Sequence, residues 1–375
     1  MQASNMGLIS GILYLFLSKS CEIRNQPKGV QLAYTVDTLI ISDKDPIEAN
    51  PFVLQIMPDV ENESFFAYYP TIKKMKFFDI TDNKILQEFS TKNLENEYGA
   101  LQWAYYHKND SIFLLFENSI GMISSAGKYS HVLWVNDSSR FDQRNYYVQA
   151  RSKNQMGFYK GVLYLPVVYF GKNRYSKPVI ASLNIREKKL NLIPITYPKN
   201  YQHKYYGYAE HNYFTIAEGN IAASFHCNDS IFVYKPEYRS VSIFDCKSMA
   251  REGDFISVPI KHRTDNMLKM ESWMTTPFYA DLTYDTENKV YYRIFYKEMP
   301  LKTEDGLFNT WSEKQIFLSV FNREFKLLGE LNLPIDIFGY FFTVHKGCLY
   351  FLAGPKDSRF SDDSLQVIYK MHVHS

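Results

Sequence analysis

One short pattern recurs along this chain and narrows its fold more than any other feature. Asn228-Asp229-Ser230-Ile231-Phe232-Val233-Tyr234 has a counterpart at Asn109-Asp110-Ser111-Ile112-Phe113-Leu114-Leu115. Each is a polar turn that opens a strand. Asn and Asp suit the turn because their side chains bond their own backbone. The β-branched and aromatic residues that follow suit a pleated, half-buried surface. The same event recurs at Asn62-Glu63-Ser64, Lys160-Gly161-Val162, Asn288-Lys289-Val290 and Lys346-Gly347-Cys348. The strands then open near positions 64, 111, 162, 230, 290 and 348, in steps of 47, 51, 68, 60 and 58 residues. A β-unit repeating at about that period is the mark of propeller blades. The fold expected is therefore all-β, a six-bladed β-propeller. The sequence carries no catalytic or cofactor motif: no Gly-rich phosphate loop, no nucleophile elbow and no CxxC.

Taken as four strands per blade, blade one uses 53–57, 64–69, 74–80 and 85–90, and blade two uses 102–107, 111–116, 119–124 and 129–135. Blade three uses 157–160, 162–170, 178–185 and 189–195, and blade four 220–226, 230–234, 239–245 and 254–259. Blade five uses 279–284, 290–296, 314–321 and 325–331. Blade six offers only 340–345, 348–352 and 365–372, while 30–41 is a strand without a blade. The two deficits cancel if the N-terminal strand closes the ring against 365–372, which also covers an open sheet edge. Residues 267–274 fit one short helix. No Gly/Ser linker divides the chain, so 30–375 reads as one propeller domain behind a tether at 22–29 and a leader at 1–21.

The leader has an apolar run at 7–17, long enough for an export signal and too short to span a bilayer. Ser20 then precedes Cys21, the arrangement of a lipoprotein signal, although Lys19 and Ser18 depart from its usual residues and no Lys or Arg precedes Gly7. Export and lipid attachment at Cys21 are the expectation. They imply a cell-envelope location, on the periplasmic side or the cell surface, with the membrane as a partner. The remaining cysteines, Cys227, Cys246 and Cys348, are odd in number. Cys227 and Cys246 end strands two places apart, about 10 Å, where a disulfide needs about 7 Å or less between Cα atoms. All three read as buried packing thiols. The net charge of +2 argues against a nucleic-acid partner.

The connections divide by length. Turns between first and second strands and between third and fourth strands are short. The long segments, 136–156, 196–219, 260–278, 297–313 and 353–364, all fall on the opposite face. Loops of that length in a compact fold usually carry function. They hold His203, Tyr205, Tyr206, Tyr208, Glu210 and His211 in one segment, and Arg140, Arg144, Tyr146, Tyr147 and Arg151 in another. Tyr175, Arg263, Trp273 and Trp311 lie on others. Aromatics with polar tips and arginines are what recognition surfaces use, though they also pack loops onto a rim. The candidate ligand-binding set is Tyr205, Tyr206, Tyr208, His203, His211, Arg144, Arg151, Arg263 and Trp273, with the tyrosines, the arginines and Trp273 expected to be partly exposed. The ligand expected is a glycan, a peptide or an envelope protein, bound without catalysis. The alternative is a hydrolase or lyase acting on a glycan or peptide with acid and base at the channel mouth.

Other candidates read as structure. His203, Glu210 and His211 match no metal-ligand spacing, so no metal or other cofactor is expected. Asp281 and Asp285 stand about 12–13 Å apart if extended, too far for glycosidase carboxylates. The four Asn-x-Ser triplets at Asn62, Asn109, Asn136 and Asn228 read as turns. Arg293 interrupts an apolar strand and reads as a buried tie to a neighbouring blade.

Three stretches also carry a family resemblance: SFFAYYPTIKKMKFFDITDNKILQEF at 64–89, YTVDTLIISD at 34–43 and YDTENKVYYRIFY at 284–296. They resemble a Bacteroidetes lipoprotein family built on a domain of unknown function. The resemblance covers most of the chain after Cys21. It implies a TolB-like six-bladed propeller and an envelope lipoprotein, and it supplies no substrate and no catalytic residues.

Overall fold

The structure, a computed structural model, describes residues 32–42, 53–57, 63–82, 84–108, 110–134, 146–148, 156–202, 204–207, 211–334, 336–353 and 365–374. These form six antiparallel sheets arranged as the blades of a propeller. The first strand, β1 (Ala33–Ser42), is set aside for closure. Blade one is β2 (Val53–Ile56), β3 (Ser64–Tyr69), β4 (Lys74–Asp79) and β5 (Lys84–Ser90). A short helix, α1 (Lys92–Tyr98), leads to blade two: β6 (Leu101–Lys108), β7 (Ser111–Phe116), β8 (Ser119–Ile123) and β9 (Tyr129–Trp134).

Blade three has an innermost strand in two pieces. Both β10 (Tyr146–Val148) and β11 (Gly157–Tyr159) pair with β12 (Val162–Tyr169), at opposite ends of it. Outside them lie β13 (Pro178–Asn184) and β14 (Lys189–Thr196). Blade four is β15 (Asn212–Ala217), β16 (Asn220–Phe225), β17 (Ser230–Lys235) and β18 (Ser240–Asp245). Helix α2 (Asn266–Thr275) follows, where the short helix was expected, capped by the Asp265 carboxylate accepting from the amides of Met267 and Leu268. Blade five is β19 (Phe278–Asp285), β20 (Val290–Tyr296), β21 (Ile316–Phe321) and β22 (Leu327–Leu333).

Blade six is β23 (Ile337–His345), β24 (Cys348–Ala353) and β25 (Leu365–His374), with β1 as its outermost strand. The β1–β25 ladder runs in unbroken register from Ala33 opposite His374 to Ser42 opposite Leu365. The N-terminal strand therefore closes the ring, as the strand deficit predicts. Around the axis the innermost strands touch in succession: β2 with β6, β11 with β15, β15 with β19, β19 with β23 and β23 with β2.

The aromatic residues, 17% of the chain, fill the wedges between blades. Phe65 of blade one packs edge-on against Tyr350 of blade six, ring centroids 5.6 Å apart. Phe113 of blade two stacks on Phe158 of blade three at 5.1 Å, and Phe244 of blade four on Phe325 of blade five at 4.7 Å. Offset and edge-on ring pairs of this kind add to area burial. Cys227, Cys246 and Cys348 are buried free thiols, as expected from their strand spacing.

Blade four departs from the sequence reading by one strand. Its innermost strand is β15, not 220–226, and every later strand of the blade moves one place outward. Residues 254–259 form no strand and contribute a single bridge, Val258 to Tyr205. The reason lies in the β15–β16 turn. Glu218 and Gly219 both have positive φ, 53° and 91°. That is the geometry of a tight two-residue hairpin, usually announced by Asn-Gly or Asp-Gly. A Glu at its first position hides the signal. In consequence the Asn228-Asp229 turn joins second and third strands, whereas Ser111 opens a second strand directly after a first. The strand openings at Ser230 and Ser111 therefore sit on opposite faces of the propeller.

Candidate functional site

The misphased blade does not move the long connections. Segments 197–211 and 246–277 are crossings from one blade's outer strand to the next blade's inner strand, and 170–177 and 297–315 join second to third strands. All lie on one face. Among the described residues, the connections on the other face are short, such as Lys160-Gly161, Glu218-Gly219 and Lys346-Gly347. Residues 353–364 fall largely outside the described residues. So do most of 136–156, where β10 places Tyr146 and Tyr147 in a strand rather than a loop, with Tyr146 buried.

On that face three segments enclose a groove of about 920 Å³. The first is 168–176. A Cβ on Gly171 would stand 2.6 Å from the Tyr169 ring, so a larger residue there would have to push that ring aside. Asn173 then takes the left-handed conformation (φ 62°) and starts a single 3-10 turn, Arg174–Ser176. This presents Arg174, whose guanidinium carbon lies 4.6 Å over the Tyr175 ring and whose Nη2 donates to the Tyr175 hydroxyl at 2.5 Å. The second segment supplies Gln202, Lys204 and Tyr205. It is held from below by Tyr201, which is fully buried and whose hydroxyl accepts from the Cys227 amide at 2.8 Å. The third supplies Ile260, Arg263 and Thr264 and is tied to the second where the Val258 amide donates to the Tyr205 carbonyl at 2.7 Å.

Three cations, Arg174, Lys204 and Arg263, line the groove, and among the described residues its lining includes no Asp, Glu, His or Cys. At the rim Phe170 is 54% exposed and Ile260 53% exposed. The Tyr147 ring meets Phe170 edge-on at 5.1 Å. The groove therefore offers cations, amide and hydroxyl groups and exposed rings together.

Of the candidates named from sequence, Tyr205 and Arg263 line this groove, the first half-buried and the second exposed. Tyr206 does not fit the expectation of exposure. It is buried, its ring 4.8 Å from Tyr201, and its hydroxyl donates to the Asn200 carbonyl at 3.1 Å. Here the aromatic packs the loop onto the rim. Trp273 and His211 are half-buried and lie apart from the groove lining, around a second cluster. Trp273 stacks on Phe278 at 4.3 Å, and His211 meets the His226 ring at 5.1 Å. His203, Tyr208, Arg144, Arg151 and Cys21 lie outside the described residues. Sequence reasoning left out Phe170 and Arg174 because 162–170 reads as one strand. The Gly171-Lys172-Asn173 turn signal was the available clue.

The centre of the second cluster, His226, Tyr213 and Lys314, is fully buried. His226 holds the Tyr213 hydroxyl at 2.5 Å from Nε2, and burial, with His211, Arg293 and Lys314 nearby, keeps its pKa well below the usual value. Lys314 is buried, with Nζ donating to the carbonyls of Trp273 and Thr276, both at 2.8 Å. Burial pushes its pKa down to about 7, against the smaller opposing pull of Cys227 and Glu298. A neutral amine has two N–H groups, the number these carbonyls take.

The Asn228-Asp229 turn is the best-tied element nearby. The Asn228 side chain accepts from the Ser230 amide at 2.9 Å. The Asp229 carboxylate accepts from Arg251 Nε and Nη2 at 2.8 Å each and from the Tyr279 hydroxyl at 2.7 Å. Arg293 of blade five reaches across to donate to Ser224 Oγ (2.9 Å) and to the carbonyls of Asp229 (2.7 Å), Cys246 (3.2 Å) and Asn228 (2.7 Å). It is the buried tie expected of it. Asp281 and Asp285 do not form a pair. Asp281, at a bulge with φ 47°, accepts from the Leu282 amide, and Asp285 caps the Glu287–Asn288 turn. Among the described residues no group of three or more His, Cys, Asp and Glu side chains is placed to hold a metal.

The DUF4221 domain, a domain of unknown function, matches residues 29–332. The chain belongs to the DUF4221 family. A member of that family from Bacteroides vulgatus ATCC 8482 superposes with a TM-score of 0.73 over 92% of this chain and 99% of the other, at 15% identity. A Bacteroides fragilis NCTC 9343 protein, described as a candidate exported protein, superposes with a TM-score of 0.54 over 91% of this chain and 96% of the other, at 8% identity. No curated protein matches. The DUF4221 match covers blades one to five, and the fold of the relatives is shared along nearly the whole chain.

Proposed function

We propose that this DUF4221 propeller is a cell-envelope lipoprotein that binds a glycan, peptide or partner protein, without catalysis, in the groove between segments 168–176, 202–205 and 260–264. The observation that carries this reading is the groove's make-up: three cations, exposed rings and hydrogen-bonding groups converging from three separate loops. Concave sites with a few convergent polar groups are the usual form of a ligand pocket. Acid–base catalysis asks instead for close titratable groups of matched pKa, and among the described residues the lining includes no carboxylate or imidazole.

Burying one aromatic ring on a ligand is worth about 1.5–3 kcal/mol. A glycan and peptide array probed with wild type and with the Tyr205→Ala/Phe170→Ala double variant tests the groove. The expected result is a tenfold or greater loss of signal in a variant that still folds. Signals that survive the double variant would place binding elsewhere. The envelope anchor rests on Cys21 and the apolar run before it. A multiply acylated cysteine holds a protein firmly to a bilayer, and no helix among the described residues is long and apolar enough to cross one. Cys21→Ala is expected to shift the protein from the membrane to the soluble envelope fraction, and unchanged fractionation would refute the anchor.

A further inference from the structure

Resting on the reading of Cys21 as a lipid anchor, we infer that the propeller lies with its short-turn face against the bilayer and its groove turned away from it. The direction of β1 sets this. In blade six, β25 runs from the long-connection face at Leu365 to the short-turn face at His374, and β1 pairs with it antiparallel, starting at Ala33 opposite His374. The chain therefore enters the fold on the short-turn face, with Leu32 already buried and β1 as the outermost strand of its blade. Residues 22–31 join Cys21 to that point. Those ten residues reach at most about 33–36 Å.

The groove stands at the other extreme. Its lining comes from the second-to-third connection of blade three and from the crossings on either side of blade four, all on the long-connection face. Blade three is three places from blade six in a ring of six, so it stands directly across the axis. To lay the groove face on the bilayer, the tether would have to climb the outer wall of blade six. That wall is β1, whose 10 residues make it about 33 Å long. Only a fully extended tether covers that height, and conformational entropy opposes such extension. From the short-turn face the same tether reaches the bilayer with slack. That face also suits a flat surface. Among the described residues its turns have two to five residues. At one of them, 236–239, Tyr238 is 71% exposed, an amphipathic ring of the kind that settles at headgroup level. A ligand accordingly reaches the groove from the aqueous phase, as a free or extended glycan or peptide, and not as a headgroup of the bilayer that holds the anchor.

The test is energy transfer from the full lipidated chain, purified from membranes, to vesicles of phosphatidylethanolamine and phosphatidylglycerol that carry a headgroup-linked acceptor dye. The donor dye is placed in two variants, on Ala126→Cys in the 124–128 turn of the short-turn face and on Lys261→Cys on the long-connection face beside the groove. Both positions are exposed, while Cys227, Cys246 and Cys348 are buried and take no dye. Transfer is expected to be at least threefold faster from position 126 than from position 261. Doubling the tether with a Gly/Ser segment after Lys28 is expected to narrow that ratio, because a longer flexible link frees the body to turn. Equal transfer from the two positions, or faster transfer from position 261, overturns the orientation. A ratio that the longer tether leaves unchanged overturns the tether as its cause. Protein that does not bind the vesicles at all refutes the anchor at Cys21, and the orientation falls with it, while the groove reading is decided by the array alone.

Discussion

Replacing Arg293 by methionine examines how blades four and five are joined. The substitution keeps much of the side-chain length and removes the guanidinium from a site with no solvent access. The Asn228 and Cys246 carbonyls and the Ser224 hydroxyl lose this donor, while the Asp229 carbonyl keeps the Cys246 amide at 3.2 Å. Each buried polar group left unsatisfied costs about 1–3 kcal/mol. The guanidinium also lies 3.5 Å over the Tyr279 ring, a contact worth about 2 kcal/mol when desolvated. Against this, the variant no longer buries a charge, a relief of several kcal/mol. Three orphaned acceptors and the lost ring contact, less that relief, leave a net expected loss of about 3–5 kcal/mol. Urea unfolding followed by far-UV circular dichroism and by tryptophan fluorescence measures it, and agreement of the two probes checks two-state behaviour. Arg293→Lys keeps the charge but has a single nitrogen, which cannot serve Ser224 and the 228–229 turn together, so it is expected to recover less than half of the loss. A loss under about 1 kcal/mol in the methionine variant would refute the account, since even one orphaned carbonyl costs that much. Full recovery by lysine would show that charge, not fork geometry, makes the tie.

Other outcomes follow from the same structure. Deleting the chain through Ser42 removes β1 and bares the whole β25 edge, so the product is expected to aggregate or unfold on size-exclusion chromatography; a monodisperse, fully folded product would show that closure is dispensable. Lys314 has a folded-state pKa of about 7 against 10.5 for an exposed lysine, so between those values the unfolded chain binds more protons than the folded one. Stability is therefore expected to rise with pH from about 7 to 9, before buried Cys246, pushed up to about 11, begins to oppose it, and Lys314→Met should flatten that slope. His226 acts in the same direction at lower pH: held neutral when folded, it is expected to cost stability as pH falls below about 6.5, and His226→Gln should lessen the fall.

Much of this molecule is written locally. Strand periodicity, the polar turns and the strand deficit at 365–372 determine a six-bladed ring closed by the N-terminal strand, because alternation along a strand and turn chemistry are properties of neighbouring residues. Connection length settles the long-loop face for the same reason. The spacing of Cys227 and Cys246 is enough to keep them apart, since strand separation is invariant. What only the tertiary structure decides is how distant pieces meet. The Glu218-Gly219 hairpin depends on two positive φ values that Glu does not advertise, so blade four could not be phased from its turns. Tyr205 and Tyr206 are adjacent and chemically alike, yet one lines the groove and the other is buried, because Tyr201 and Asn200 take up Tyr206 from below. Arg174, Lys204 and Arg263 come from three connections with no local sign of their convergence, and the groove exists only where the ring brings those loops together.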